Sequence, residues 1–260
     1  MQLYNRVVLD SIEREKKGTD YYCTGADKVL LQTLLEEINE FCGTGFRYLA
    51  ELDAFTIPGS GGIIAKYIQR FSSESVRGYL LSQLVSDKIK DCDIIILHMY
   101  MHFKNSSEYI SAPGVPAPAH IYVRYDNAFR ALKPKRLKSE LLRLAYNPRD
   151  AFYLPFTMRM LGSWKIPELK ELFLSYASNG SITPQDVGLS NGDTAHFPPF
   201  DFIRRELRFL AIDALKYYPS DTIYDVISQY IDDPDPGIRV AVKRTLKVLL
   251  KAIKTRDGFA

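Results

Sequence analysis

Ile231-Asp232-Asp233-Pro234-Asp235-Pro236-Gly237-Ile238-Arg239-Val240-Ala241-Val242 decides how this chain is built. An apolar helix runs into an acidic turn carrying Pro and Gly, and a second helix opens at once with an apolar–Arg pair. Short carboxylates such as Asp232, Asp233 and Asp235 accept from the open amides of the next helix N-terminus and suit its dipole. Pro236 falls where a first-turn proline is tolerated.

The frame recurs upstream. Leu207-Arg208-Phe209-Leu210-Ala211-Ile212-Asp213-Ala214-Leu215-Lys216 matches Ile238 to Lys247 at an offset of 31, with apolar, basic and small positions agreeing. An offset of 54 sets Phe156, Met160, Leu161 and Trp164 on Leu210, Ala214, Leu215 and Tyr218. It also sets Leu169, Leu172, Phe173 and Tyr176 on Ile223, Val226, Ile227 and Tyr230. Both sets have the 3–4 spacing of the buried stripe of a helix. The larger offset exceeds the smaller by 23 residues, which the polar segment around Asn179 to Pro199 supplies. One unit is then helix, acidic or Pro-bearing turn, helix. Stacked units of this kind bury a core between neighbours.

At these residues the chain resembles a HEAT-type repeat protein. That signature is an apolar first helix, an Asp-rich turn with Pro, then Val/Ile-Arg followed by small residues and Leu. Asp233, Pro236, Ile238, Arg239, Ala241, Val242 and Leu246 carry the resemblance, and at Leu154 the arginine is replaced. It covers residues 132–256, about half the chain. The resemblance implies an all-α, right-handed solenoid whose second helices line a concave face, and it brings no catalytic residue.

The N-terminal half is less regular. Asp27 to Phe41 reads as a helix, with Val29, Leu30, Thr33, Leu34, Glu37, Ile38 and Phe41 near one stripe. Ser73 or Ser75 caps a further helix through Val76, Leu80, Leu81, Leu84, Val85 and Ile89. Asp93 to Phe103 suits a buried strand as well as a helix, and the helix is favoured because no partner strand is evident. Three prolines between Ser111 and Pro118 make that run a loop, and Tyr122 to Leu132 resumes the helix. Residues 1–131 are therefore expected to be an irregular helical part of the solenoid. Residues 132–260 hold the clearer repeats, with a long inserted loop at 178–200.

With 46% hydrophobic and 25% charged residues, the composition excludes a disordered chain. A net charge of +3 points by itself to neither nucleic acid nor membrane. Cys23, Cys42 and Cys92 lack CxxC spacing and read as thiols of a reducing compartment. Asp10, Glu13 and Glu15 argue against a signal peptide, and no apolar run approaches a membrane span. A cytoplasmic location is expected.

Few constellations carry chemistry. His98 and His102 stand at the i, i+4 spacing that presents two imidazoles to zinc. Met99, Tyr100 and Met101 lie between them, without the Glu of HExxH, and Cys92, Glu108 and His120 are merely nearby. A structural or solvated pair is expected, and no cofactor. Gly59-Ser60-Gly61-Gly62 opens a helix as a phosphate cradle does, but no Gly-Lys-Ser/Thr follows. No Gly-x-Ser-x-Gly elbow occurs, so no enzyme is expected.

The basic residues say more. The last helix sets Ile238, Val242, Thr245, Leu246, Leu249 and Ile253 on one side, with Arg239, Lys243, Arg244, Lys247, Lys251 and Lys254 opposite. The repeat frame adds Arg159, Arg208 and Lys216 to the same ridge. A positive track of this kind attracts an acidic protein surface or a phosphate backbone. The same charges also suit a solvated terminal repeat, and the family resemblance gives Arg208 and Arg239 a structural pairing with turn aspartates. Tyr109, His196, Phe197 and Phe200, in the two long loops, are the side chains able to anchor a partner.

The expectation is a non-catalytic protein-interaction module: a scaffold, adaptor or inhibitor-like protein whose partner is another protein with an acidic surface. The alternative is a nucleic-acid-binding HEAT-like protein resembling the repair glycosylases, with Asp213 the one carboxylate on the ridge. A loop-assembled homo-oligomer is a third possibility.

Overall fold

A computed structural model describes residues 23, 25–48, 51, 57–87, 89–104, 119–178, 182–188 and 199–256. Among the described residues there are twelve α-helices, three short 3-10 turns and no strand. The protein is all-α. Among the described residues no helix is long and apolar enough to cross a membrane. These residues fall into two compact units, one ending at Pro134 and the other running from Lys135.

The first unit holds α1 (Ala26–Cys42), α2 (Ser60–Tyr67), α3 (Glu74–Ser86), α4 (Cys92–Lys104) and α5 (Ala119–Leu132). α2 packs between α1 and α3, and α5 packs on α3 and α4. Its core is aromatic: Tyr100, Phe103, Tyr122, Tyr125 and Phe129 are buried, with ring centroids 5.0–6.2 Å apart in mostly edge-to-face pairs. The ambiguous run resolves as a helix because Ile96, Met99, Tyr100 and Phe103 are buried at 3–4 spacing while Ile94 is exposed.

The stripe on α1 differs from its sequence reading. Leu31, Leu34, Leu35 and Ile38 are buried, whereas Val29 and Phe41 are 69% and 64% exposed. Apolar character alone misplaced the face. Asp27 fixes it instead: its carboxylate accepts from Ser72 N, Ser72 Oγ and Ser73 N at 2.8–3.1 Å, tying α1 to the start of α3. There Ser73 is the cap, its hydroxyl accepting from Val76 N at 3.3 Å.

The second unit holds α6 (Lys138–Ala145), α7 (Pro148–Tyr153), α8 (Pro155–Ser163), α9 (Pro167–Ala177), α10 (Phe200–Leu215), α11 (Asp221–Ser228) and α12 (Pro236–Arg256). Helix starts follow local chemistry. Proline opens α7, α8, α9 and α12, where its missing N–H costs nothing. Asn147 and Ser220 accept from the first amides of α7 and α11. Asp235 does the same for α12, from Gly237 N and Ile238 N.

α10 is the hub. It packs on α7, α8, α9 and α12, and α12 packs in turn on α11. Burial recurs at four of the eight pairs aligned at the offset of 54, while Phe156, Trp164, Leu172, Tyr218, Val226 and Tyr230 are only half-buried. Met160 and Ala214, Leu161 and Leu215, Leu169 and Ile223, and Phe173 and Ile227 are all buried pairs at the offset of 54. At the offset of 31, Leu207, Leu210, Ala211 and Leu215 are buried like Ile238, Ala241, Val242 and Leu246. The match breaks at two places: Ile212 and Asp213 are buried on α10, while Lys243 and Arg244 are exposed on α12.

Candidate functional site

α12 has no acidic residue in its 21 positions, and its buried stripe is Ile238, Ala241, Val242, Thr245, Leu246 and Leu249. Thr245 sits in that stripe because its hydroxyl donates to Ile212 O at 3.0 Å, joining α12 to α10. The opposite face is left to Lys243, Arg244, Lys247, Lys251 and Lys254, all exposed. Three apolar side chains lie among them: Val240, Val248 and Leu250 are 56%, 42% and 41% exposed.

The other basic residues of the sequence reading are committed elsewhere. Arg159 Nε donates to Asp213 Oδ2 at 3.0 Å, and Lys216 Nζ donates to Asp213 Oδ1 at 2.9 Å. Asp213 is thereby enclosed by two cations and presents no open carboxylate. Arg208 forms an ion pair with Asp233 at 2.6 Å, donates from Nε to Ala177 O at 2.9 Å, and lies 4.8 Å from the Tyr230 ring centroid. Arg239 donates to the carbonyls of Asp233 and Pro234. These four brace the framework, and Lys243, Arg244 and Lys247 remain on the surface.

A further bracing pair was not anticipated. Arg205 donates from Nε to Asp235 Oδ2 and also bonds Glu206. The Arg205 guanidinium, helped by the amides of Ile238 and Gly237, holds the Asp235 carboxyl at about 2. A depressed carboxylate contributes stability that is complete above its unfolded value of about 4 and is lost as pH falls through its folded value. The melting-temperature gap between wild type and D235N is therefore expected to hold at neutral pH. It should narrow between about pH 4 and about pH 2. A gap independent of pH in thermal melts would contradict this.

The remaining candidates are quickly placed. His98 and His102 are both exposed on α4; His102 Nδ1 lies 2.9 Å from Glu74 Oε1 and 3.1 Å from Arg77 Nη1. Among the described residues no group of three His, Cys, Asp or Glu converges to hold a metal. The glycine-rich turn already has its anion: Asp87 Oδ2 accepts from Gly61 N at 2.6 Å. Cys23, Cys42 and Cys92 form no disulfide. Tyr109, His196 and Phe197 lie outside the described residues, whereas Phe200 opens α10. No family model, curated protein or solved structure matches the chain.

Proposed function

We propose that residues 135–256 form a short stack of HEAT-like helix pairs that acts as a non-catalytic protein-interaction module. In this reading α8, α10 and α12 are successive second helices of a solenoid, and the exposed face of α12 engages an acidic protein surface in the cytoplasm. One observation carries it. The α12 positions equivalent to buried Ile212 and Asp213 of α10 are exposed Lys243 and Arg244. α12 thus leaves open the side that on α10 meets Arg159 of α8. That flank carries Lys243, Arg244 and Lys247 within about two turns of the exposed Val240, and Lys251 and Lys254 extend the positive charge toward the end of the helix.

The test is fluorescence anisotropy of labelled poly-glutamate with wild type and the K243E/R244E/K247E variant. Wild type is expected to bind, with affinity falling as salt shortens the Debye length. The variant should bind at least about tenfold more weakly. Its melting temperature should stay near wild type, since the three side chains are exposed. Equal binding by both proteins overturns the proposal. Tighter and more steeply salt-dependent binding to duplex DNA than to poly-glutamate would favour the nucleic-acid alternative.

A further inference from the structure

The first unit contains a cleft of about 390 Å³ between α1 and the segment that follows it. Leu31 and Leu35, both buried on α1, line it from one side, and Phe46 and Tyr48 line it from the other. The segment is fastened from both ends. Asn39 Nδ2 donates to Phe46 O at 2.8 Å, while its Oδ1 accepts from Phe46 N and from Thr44 Oγ1, each at 2.8 Å. Glu51 Oε2 then accepts from Arg47 N at 2.6 Å and Tyr48 N at 2.8 Å. Gly43, in the left-handed region at φ 65°, makes the reversal that allows this return. One amide and one carboxylate thus hold the wall of a cleft whose volume lies within the range of small-molecule sites.

The lining fixes what the cleft would take. Leu31, Leu35, Phe46 and Tyr48 give it an apolar wall, Cys23, Gln32 and Asn39 add a thiol and two amides, and the exposed Lys28 and Arg47 line it as its cations. Glu36 is the one acid there, and it already accepts from Gln32 Nε2 at 3.0 Å. We infer that this cleft binds a small amphipathic carboxylate, its tail between Leu31, Leu35, Phe46 and Tyr48 and its head on the Arg47 guanidinium. A planar guanidinium matches a carboxylate with two parallel hydrogen bonds, which an alcohol or an ammonium cannot accept in the same way. This site is independent of the α12 face.

Calorimetric titration with octanoate, octanol and octylammonium tests it. Octanoate is expected to bind at least about tenfold more tightly than octanol, and octylammonium least. R47Q should lower octanoate affinity by about tenfold while leaving octanol binding nearly unchanged. N39A, which unfastens the wall, should weaken both. Should N39A fail to fold by circular dichroism, R47Q decides alone, since Arg47 is exposed. Absence of heat with every probe overturns the inference, as does equal affinity for octanoate and octanol or an octanoate affinity indifferent to R47Q. Octyl phosphate serves as the further arm: binding tighter than octanoate would reassign the head group.

Discussion

Replacing Asp233 by alanine is expected to destabilise the second unit by about 3–5 kcal/mol, the range for removing one partner of a buried ion pair. Asp233 is 8% exposed and sits in the turn between α11 and α12. One oxygen accepts from Asp235 N at 2.9 Å, and the other faces the Arg208 guanidinium of α10 at 2.6 Å. Arg208 is itself only 12% exposed, so losing the carboxylate strands a cation with a single carbonyl and a tyrosine ring for company. D233N keeps the shape and an acceptor and should cost less, about 1–3 kcal/mol. Urea unfolding of both variants measures the two losses. A loss in D233A below about 1 kcal/mol, typical of an exposed pair, would mean that Arg208 finds water instead.

Phe173 to alanine should cost about as much, roughly 3–5 kcal/mol, by a different route. The ring is fully buried on α9, with Tyr218 at 6.3 Å between centroids. Gly162 of α8 lies against it: a Cβ there would meet Phe173 Cε2 at 3.4 Å, an ordinary contact, and Tyr217 Cδ2 at 3.3 Å. Truncation therefore opens a cavity bounded by helices already in van der Waals contact, which relax only partly. Gly162 to alanine should change stability by less than about 1 kcal/mol, because the added Cβ meets Phe173 at ordinary contact distance, only the Tyr217 ring must give slightly, and alanine favours the helix. Thermal melts showing F173A as stable as wild type would place this ring outside the core.

The sequence spoke most clearly where one face of a helix is apolar at regular spacing and the other is not. Leu169, Phe173, Leu215 and Leu246 were read as buried from that period, and they are buried. Asp235 and Pro236 were read as a helix start, and they cap and open α12. α1 was harder because Val29 and Phe41 are apolar yet exposed, and what orients that helix is Asp27 reaching 45 and 46 residues along the chain to Ser72 and Ser73. No local pattern announces such a bond.

The charged framework was legible in part. The offset of 54 that aligned α8 with α10 sets Arg159 on Asp213, and these two are ion-paired. An alignment treats such residues as equivalent positions; only packing reveals them as partners. The pairing of Arg208 with a turn aspartate, implied by the family resemblance, is the geometry observed with Asp233. In the sequence the basic ridge spans three helices, because sequence shows charge without showing what neutralises it. The cleft beside α1 gave no signal at all, since it arises where Asn39 and Glu51 fold a short segment back.

Lysine footprinting by amine acetylation and mass spectrometry tests the interaction surface most directly. Without an added partner, Lys243, Lys247, Lys251 and Lys254 are expected to label fast, and Lys216, held by Asp213, slowly. Poly-glutamate should slow the four lysines of α12 and leave other exposed lysines, such as Lys66, at their original rate. Labelling of the four at one rate with and without poly-glutamate would contradict an acid-binding face on α12.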